Sequence, residues 1–454
     1  MLANIENFSV SKILKSTGGT LIFGSEDEGV LSISTDSREI GDKCLYIPIK
    51  GEKFDGHTFL EGALKNGAEG YLTQNDYIVK GYGFGIKVKD TKKALGDIAA
   101  AYREGFCADV VALTGSVGKT TTKEFIASVL SRRFNTVKTK ANYNNDIGLP
   151  FTLLSIGADT QKAVVEMGMS NFKEISYLTN IARPDAAVIT NIGTSHIEFL
   201  KSREGILKAK CEIFEGLKEG GTAFLNGDDD LLQTLSGKLG FKTVFFGIDN
   251  KKCDICAENV KLYPLKTEFE ISGQKFEINI PGRHNVYNAL CAYAVGKMYG
   301  MTDDEIRKGL LDYKNDGIRQ SIIEINGAKI LNDCYNSSLQ AAMSAIDVLK
   351  KLSDGKKIAV LGDMAELGDM SEDCHRKLGA YFASSGCDVL ITVGNEAKFI
   401  ADEAKKCGVR EKNIYSFENN ADAALCLKGI LKKNDAVLIK GSHCMKMEEI
   451  AKNI

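Results

Sequence analysis

The run VVALTGSVGKTTTKEFIASVL (110–130) sets a short apolar stretch, a turn with two glycines and an apolar-periodic stretch in immediate succession. That order of strand, turn and helix is what a chain uses to cradle nucleotide phosphates. Gly115 and Gly118 let the backbone turn tightly, so that its N–H groups, with those of Ser116 and Val117, approach phosphate oxygens. The following helix directs its positive end at the same place. Lys119 would then reach the β- and γ-phosphates. The Thr120 hydroxyl is the expected magnesium ligand, with Thr121 as the second candidate, because phosphate-bound Mg²⁺ takes one or two protein oxygens and keeps several waters. The general form of such a loop has a glycine five residues before its second one, and here that position is Leu113.

Further polar residues follow other apolar runs. KAVVEMGMS puts Glu166 directly after a strand, where a carboxylate can hold Mg²⁺ against nucleotide phosphates. A solvated strand-end glutamate is an equal reading of the same run. AVITNIGTSHIEF sets His196 five residues after Asn191, in a chain of five histidines, and a plain loop histidine is the commoner case. GILKAKCEIFEGL places Lys208 and Lys210 at the start of an amphipathic helix, where spacing alone reads both as solvated charges. The loop KANYNNDIGLPFTLL, with Asn142, Asn144, Asn145 and Asp146 ahead of a Gly and Pro break, reads as a structural turn.

The elements that must position these residues follow from periodicity. From about Asp109 onward, short runs rich in Val and Ile alternate with longer amphipathic stretches, which predicts an α/β fold with mainly parallel sheets. The clearest strands are DVVALT (109–114), DAAVITN (185–191), GTAFLN (221–226), KKIAVLGD (356–363), CDVLITVG (387–394) and NDAVLIKG (434–441). Ligands of such sheets sit outside the carboxyl ends of the strands, where the candidate residues stand. Three groups of strands predict three domains. Residues 1–106 form a small N-terminal α/β domain, and the helical stretch LGDIAAAYREGF leads out of it. Residues 107–314 form a central phosphate-loop domain around a mainly parallel sheet. Residues 315–454 form a Rossmann-like C-terminal domain, entered after the helical run NVYNALCAYAVGKMYG and the capped helix start of TDDEIRKGLLDY.

At 454 residues and about 150 per domain, the length agrees with three domains. Lys and Arg (58) nearly balance Asp and Glu (60), so no global basic field exists to attract nucleic acid or an anionic membrane. No apolar run approaches the 18 or so residues of a membrane span, and the N-terminus does not read as a signal peptide. Twelve cysteines scattered in mostly apolar contexts suit reduced thiols in a cytoplasmic protein. The one close pair, Cys253 and Cys256, lacks a second pair at zinc spacing and reads as part of a surface turn.

With these runs in place the sequence resembles the Mur ligase family over essentially its whole length. The family's loop reads Thr-Gly-Ser-x-Gly-Lys-Thr, here Thr114 to Thr120, and that form lacks the leading glycine, so Leu113 agrees with it. The resemblance implies that Glu166 and His196 are magnesium ligands. It also implies that Lys210 is the lysine which members carbamylate, turning a cation into an oxygen donor for a second Mg²⁺. ATP is implied between the second and third domains, with Asn285 in PGRHNVYNAL toward adenine, Arg319 in GIRQ toward the γ-phosphate and Asp333 in LNDCYN toward the ribose. In the first domain, STDSREIGDKCLYIPIKGEKFDGHTFLEGALKNGA resembles the uridine-nucleotide segment of later-acting members, with Asp36, Ser37, Arg38, Gly56 and His57 as contacts. The runs NNDIGLP, LGDMAELG, DCYN and LIKGSHCMKME are nearest to members that join D-alanyl-D-alanine to UDP-N-acetylmuramoyl-tripeptide, and Asn145 in the first of them is expected at substrate. Ser337, Ser338 and Leu339 stand where relatives often have Ala-Asn-Pro, and His443 where Arg is usual, which leaves the acceptor contacts open.

The implied chemistry is phosphorylation of the tripeptide's terminal carboxylate by ATP, then attack of the dipeptide's free amine on the acyl phosphate. Lys119 and Arg319, with magnesium, would neutralise charge on the transferred phosphoryl group, and Lys210 and His196 complete the implied catalytic set. Closure of the third domain about a hinge at residues 314–318 would exclude water. A monomer is expected. Two other readings share the loop. One is the ligase adding the third amino acid to UDP-N-acetylmuramoyl-dipeptide, with folylpolyglutamate synthase a more distant relative. The other is a nucleotide-hydrolysing switch, which accounts for residues 109–125 alone.

Overall fold

The structure, a computed structural model, describes residues 1–51, 54–76, 79, 83–314 and 319–454. These form two compact units. One comprises Met1–Thr114, Arg133–Val188 and Cys211–Ala223, the other Gly115–Arg132, Ile189–Lys210 and Phe224–Ile454. The described residues form three sheets with helices between their strands, an α/β fold.

The first sheet belongs to the first unit. Its strands β1 (Leu2–Ser9), β2 (Thr20–Phe23), β3 (Gly29–Ser34), β4 (Cys44–Tyr46), β5 (Gly70–Thr73) and β6 (Phe84–Lys87) lie in the order β1-β3-β4-β5-β6-β2. The middle four run parallel, and the edges β1 and β2 are antiparallel to their neighbours. Every residue of β4 and β5 is buried, as expected of parallel strands covered on both faces.

The second sheet holds β7 (Asp109–Thr114), β8 (Thr136–Lys138), β9 (Lys162–Glu166), β10 (Ala186–Ile189), β11 (Thr222–Asn226), β12 (Lys242–Gly247), β13 (Ile255–Leu262), β14 (Thr267–Ile271) and β15 (Gln274–Ile278), in the order β15-β14-β13-β12-β11-β10-β7-β9-β8. Strand β9 runs parallel to both β7 and β8. The parallel expectation stops short of one edge, where β13, β14 and β15 form an antiparallel meander. Its last hairpin turns on Ser272 and Gly273, both at positive φ (48° and 76°), the two-residue turn whose twist matches that of the strands.

The third sheet lies in the second unit. It comprises β16 (Ser321–Ile325), β17 (Ala328–Asn332), β18 (Lys357–Gly362), β19 (Val389–Val393), β20 (Ile414–Phe417) and β21 (Ala436–Lys440), in the order β16-β17-β21-β18-β19-β20. All neighbours are parallel except the edge hairpin β16–β17, which turns on Asn326 and Gly327.

Each of the six strands expected from sequence lies within the span read for it. The helices Thr91–Arg103, Arg283–Met298 and Asp303–Leu311 stand where helical patterns were read, and Thr302 and Glu305 cap the last of these reciprocally. Residues 315–318, where the expected domain boundary falls and which make up all but the first residue of the expected hinge, lie outside the described residues. Among the described residues no helix is long and apolar enough to cross a membrane.

Candidate active site

In the second unit the turn from Gly115 leads into the helix Lys119–Leu130, whose first turn carries no acidic residue and no side-chain cap. Its leading N–H groups are therefore directed at whatever anion meets the turn. The turn is built against Thr190 and Asn191. Ser116 N donates to Asn191 O (3.1 Å), Val117 N to Asn191 Oδ1 (2.9 Å), and Val117 O accepts from Thr190 Oγ1 (2.7 Å) and Asn191 Nδ2 (2.9 Å). A Cβ on Gly115 would stand 1.8 Å from Thr190 Oγ1, so this close approach requires glycine. Gly118 sits at φ 83°. Lys119 Nζ donates to Gly115 O at 2.8 Å, and Thr120 is buried one residue on.

Lys210 departs from the solvated charge that spacing alone implies. It ends, rather than starts, the helix Arg203–Cys211, and it is 2% exposed. Burial, and then the charge of Lys119, hold its ammonium well below the ordinary lysine range, so its neutral amine is favoured. Among the described residues it has no ion-pair partner. His196, in the loop after β10, has its Nδ1 2.5 Å from Glu366 Oε2.

A polar chain runs from the phosphate-loop helix toward the third sheet, all within the second unit. Thr122 Oγ1 donates to Asn288 Oδ1 (2.9 Å), Asn288 Nδ2 to Asn285 Oδ1 (3.0 Å), and Asn285 Nδ2 to Gln320 Oε1 (2.9 Å) and Pro281 O (2.8 Å). Gln320 N donates in turn to Asp333 Oδ1 (3.3 Å), and Gln320 Nε2 lies 2.7 Å from His284 Nε2. Burial alone would raise the Asp333 carboxyl, but the charge and hydrogen bond of Lys440 hold it below the usual range. The Arg319 guanidinium stacks 4.0 Å from the Tyr335 ring centroid. A cavity of about 200 Å³ opens beside this chain, lined in part by Tyr263, Pro281, Gly282, His284 and Val348.

In the first unit Glu166 ends β9 in register with Leu113, one residue before Thr114, and is 1% exposed. Asn144 Nδ2 donates to its Oε1 at 2.9 Å, so this glutamate is not the solvated strand end that its run also allows. Asn145 Oδ1 accepts from Ile147 N and Gly148 N, which fixes the Asn-rich loop ahead of the helix Gly148–Leu153. Asp36 grips Arg38 through two side-chain bonds (2.9 and 2.7 Å), and these hold the Asp36 carboxyl well below the carboxylate range. Asn66 Nδ2 donates to Ser37 O. A Cβ on Gly56 would meet Ile49 N at 2.7 Å, and Tyr46 Oη donates to Gly56 O. His57 Nδ1 bonds Asp55 at 2.6 Å, and its Nε2 accepts from Gln74 N.

Lys210, His196, Asn285, Arg319 and Asp333 thus share a unit with the phosphate turn and Lys119, while Glu166, Asn145 and the uridine-segment residues belong to the other. Sequence reading passed over Thr190, Asn288, Gln320, Glu366 and Lys440 as side chains that touch those it singled out. All five lie in quoted runs, AVITNIGTSHIEF, PGRHNVYNAL, GIRQ, LGDMAELG and LIKGSHCMKME, but a run does not say which of its residues points inward. Thr120 in one unit and Glu166 in the other are each buried and each offer an oxygen donor of the kind Mg²⁺ takes. Among the described residues no cluster of three or more His, Cys, Asp or Glu side chains stands ready for a metal.

Comparison with known proteins gives one answer. The sequence matches the family described as Mur ligase middle domain at residues 113–296, the Mur ligase glutamate ligase domain at 318–443, and the Mur ligase family catalytic domain at 30–103. It is 39% identical to the UDP-N-acetylmuramoyl-tripeptide–D-alanyl-D-alanine ligase of Bacillus subtilis, over 98% of each chain, and 35% identical to that of Escherichia coli, over 93% of each. The fold superposes on MurF from Acinetobacter baumannii with a TM-score of 0.89, at 30% identity and 99% coverage of both chains. MurF of Thermotoga maritima in complex with ADP superposes at 0.82, with 29% identity, covering 92% of this chain and 96% of that one. Full-length likeness at these identities, joined to a phosphate turn whose glycines the packing demands, leads to one conclusion: the chain belongs to the Mur ligase family.

Proposed function

We propose that the protein is an ATP-dependent ligase that joins D-alanyl-D-alanine to UDP-N-acetylmuramoyl-tripeptide in peptidoglycan precursor synthesis. The observation that carries this reading is the end-to-end likeness to ligases of that name, 39% identical over 98% of the chain, together with the phosphate turn at Gly115–Lys119. The likeness to an ADP-bound relative supports ATP as the nucleotide.

A carboxylate is a poor acylating agent. In the reaction its oxygen bonds to the γ-phosphorus of ATP and the β–γ bridge breaks, leaving an acyl phosphate and ADP. The dipeptide's free amine then bonds to the acyl carbon, the carbon–oxygen bond to phosphate breaks, and the amine gives up a proton. The turn at Gly115–Gly118 holds the phosphates on its N–H groups, and Lys119 and Arg319 offset charge on the transferred group. Thr120, Glu166 and His196, with Lys210 as a carbamate, would hold Mg²⁺, which when bound supplies charge neutralisation to the phosphates. Asn285 and Asp333 take the adenosine, whose base the cavity beside Gly282 suits, and Asp36, Ser37, Arg38, Gly56 and His57 take the uridine nucleotide, with Asn145 toward the tripeptide. We assign residues 1–106, 107–314 and 315–454 to UDP-substrate, ATP and closing domains respectively, in a cytoplasmic monomer.

Phosphate release measured with ATP and each candidate pair of substrates tests the reading. Release is expected only when UDP-N-acetylmuramoyl-tripeptide and D-alanyl-D-alanine are both present. Release with the dipeptide precursor and a diamino acid, or with ATP alone, would overturn it.

A further inference from the structure

His196 Nδ1 and Glu366 Oε2 lie 2.5 Å apart, and both residues are held in left-handed backbone conformations, at φ 62° and 61°. Neither is a glycine or asparagine, so each conformation costs roughly 1–3 kcal/mol and persists only where the surroundings over-determine it. The Glu366 carboxylate is 46% exposed, and a polar contact that open contributes too little to hold two strained residues. What holds Glu366 is its loop. Met364 N donates to His375 Nε2 (3.0 Å), Ala365 N to Ser442 Oγ (2.9 Å), and Ser442 N to Asp363 O (3.1 Å). Asp363 in turn accepts from Asn395 N and Ala397 N. Glu366 O receives Glu198 N, two residues past His196, at 3.4 Å.

His375 is wholly buried, and its partners fix its form. Nε2 accepts a backbone N–H, so Nδ1 carries the proton and donates to Ser371 O at 2.7 Å. Ser371 Oγ is anchored on Glu396 (2.7 Å). A buried neutral histidine whose two nitrogens serve one loop has no surface or solubility role. Its consequence is the placement of residues 364–366.

We propose that Glu366 is a positioning residue for the ligation reaction: its carboxylate accepts from His196 at Nδ1–H and so leaves the Nε2 lone pair as that ring's free acceptor, while His375 sets the loop that presents Glu366. A carboxylate behind a functional histidine fixes both tautomer and ring orientation. This deepens the ligase reading and rests on it for the word reaction, but the contact itself does not.

The test uses the full chain with ¹⁵N-labelled histidine. In the substrate-free wild type, His196 is expected as the Nδ1–H tautomer, and in Glu366→Gln as a mixture. The same variant should lose about 10- to 100-fold in kcat, with KM for each substrate within about twofold and partial recovery in Glu366→Asp. Amide exchange at residues 364–366 should quicken in His375→Asn and stay unchanged in Glu366→Gln. Should His375→Asn misfold, Ser442→Ala frees the Ala365 N–H instead and is expected to quicken the same amides. An unchanged His196 tautomer in Glu366→Gln overturns the proposal whether or not kcat falls, and so does an unchanged kcat. A wild type that releases no phosphate with the proposed substrates sinks the ligase reading alone, since the tautomer and exchange results stand without substrate.

Discussion

Lys440 Nζ donates to Asp333 Oδ2 at 2.7 Å with its side chain 2% exposed and that of Asp333 14% exposed, so a full ion pair is closed off at the carboxyl ends of β21 and β17. Lys440 also donates to Asn336 O (2.9 Å), which ties the segment after β17 to the end of β21. Removing one partner leaves a buried charge without its counterion. Lys440→Met should therefore cost about 3–5 kcal/mol in unfolding free energy, and the double change with Asp333→Asn distinctly less. The pH dependence has a definite sign. The folded Asp333 carboxyl titrates below its unfolded range, so its contribution is complete above about pH 4 and is lost as pH falls through the lower folded value. Denaturant melts of wild type and double variant from pH 6 to 3 check both points. Parallel curves would count against the pair.

The phosphate turn gives a prediction that separates packing from chemistry. Gly115→Ala brings a Cβ within 1.8 Å of Thr190 Oγ1, so it should displace the turn and abolish nucleotide binding measured by calorimetry. Lys119→Ala keeps both glycines of the turn, and should bind nucleotide while losing at least about 100- to 1,000-fold in kcat. Near-normal turnover by Lys119→Ala would remove it from the catalytic set.

The turn was legible because strand, glycines and helix are contiguous, so local sequence carries its whole context. The six strands were legible for the same reason, being continuous apolar runs such as VVAL in β7. Lys210 was not, because the period of GILKAKCEIFEGL does not tell which lysine faces the interior. Family resemblance singled it out for a role, and the structure shows that it is buried. Glu366 and His375 were hidden for another reason. The partner of Glu366 stands 170 residues earlier, and His375 acts on a backbone N–H, which leaves no mark in side-chain pattern. The antiparallel β13–β15 edge could have been read from Ser272-Gly273 between alternating runs, but short alternating strands are weak beside the buried ones.

In the first sheet, Arg38 is 85% exposed yet aligned by two bonds to Asp36, a guanidinium oriented at the surface and open to a ligand. Arg38→Ala should raise KM for the uridine substrate about tenfold or more while leaving kcat and the KM for ATP within about twofold, the signature of lost ground-state binding. Gly56→Ala, which drives a Cβ against Ile49 N, should raise the same KM and also lower the melting temperature, whereas Arg38→Ala should not. Steady-state kinetics with thermal melts distinguishes the two, and equal effects on both KM values would place Arg38 outside the uridine site.

Lys210 carries the last prediction. Its burial and the nearby charge of Lys119 favour the neutral amine, the only form of lysine that adds carbon dioxide, since the bond forms from the nitrogen lone pair and a proton leaves. The product is an anion beside Lys119, so the charge that disfavours the ammonium favours the carbamate. Protein equilibrated with ¹³C-bicarbonate should show a carbamate resonance that Lys210→Ala lacks. Stripping carbon dioxide should lower activity reversibly, and short carboxylates should restore part of the activity of Lys210→Ala. Stability provides an independent reading. Between its lowered folded pKa and the unfolded value of about 10.4, the unfolded state holds the extra proton, so stability rises with pH across that window. In carbon dioxide-free buffer, Lys210→Met should flatten that slope and melt higher than wild type at pH 7 while remaining inactive. A lower melting temperature for Lys210→Met would mean that the lysine is paired in solution and is not held there as an amine.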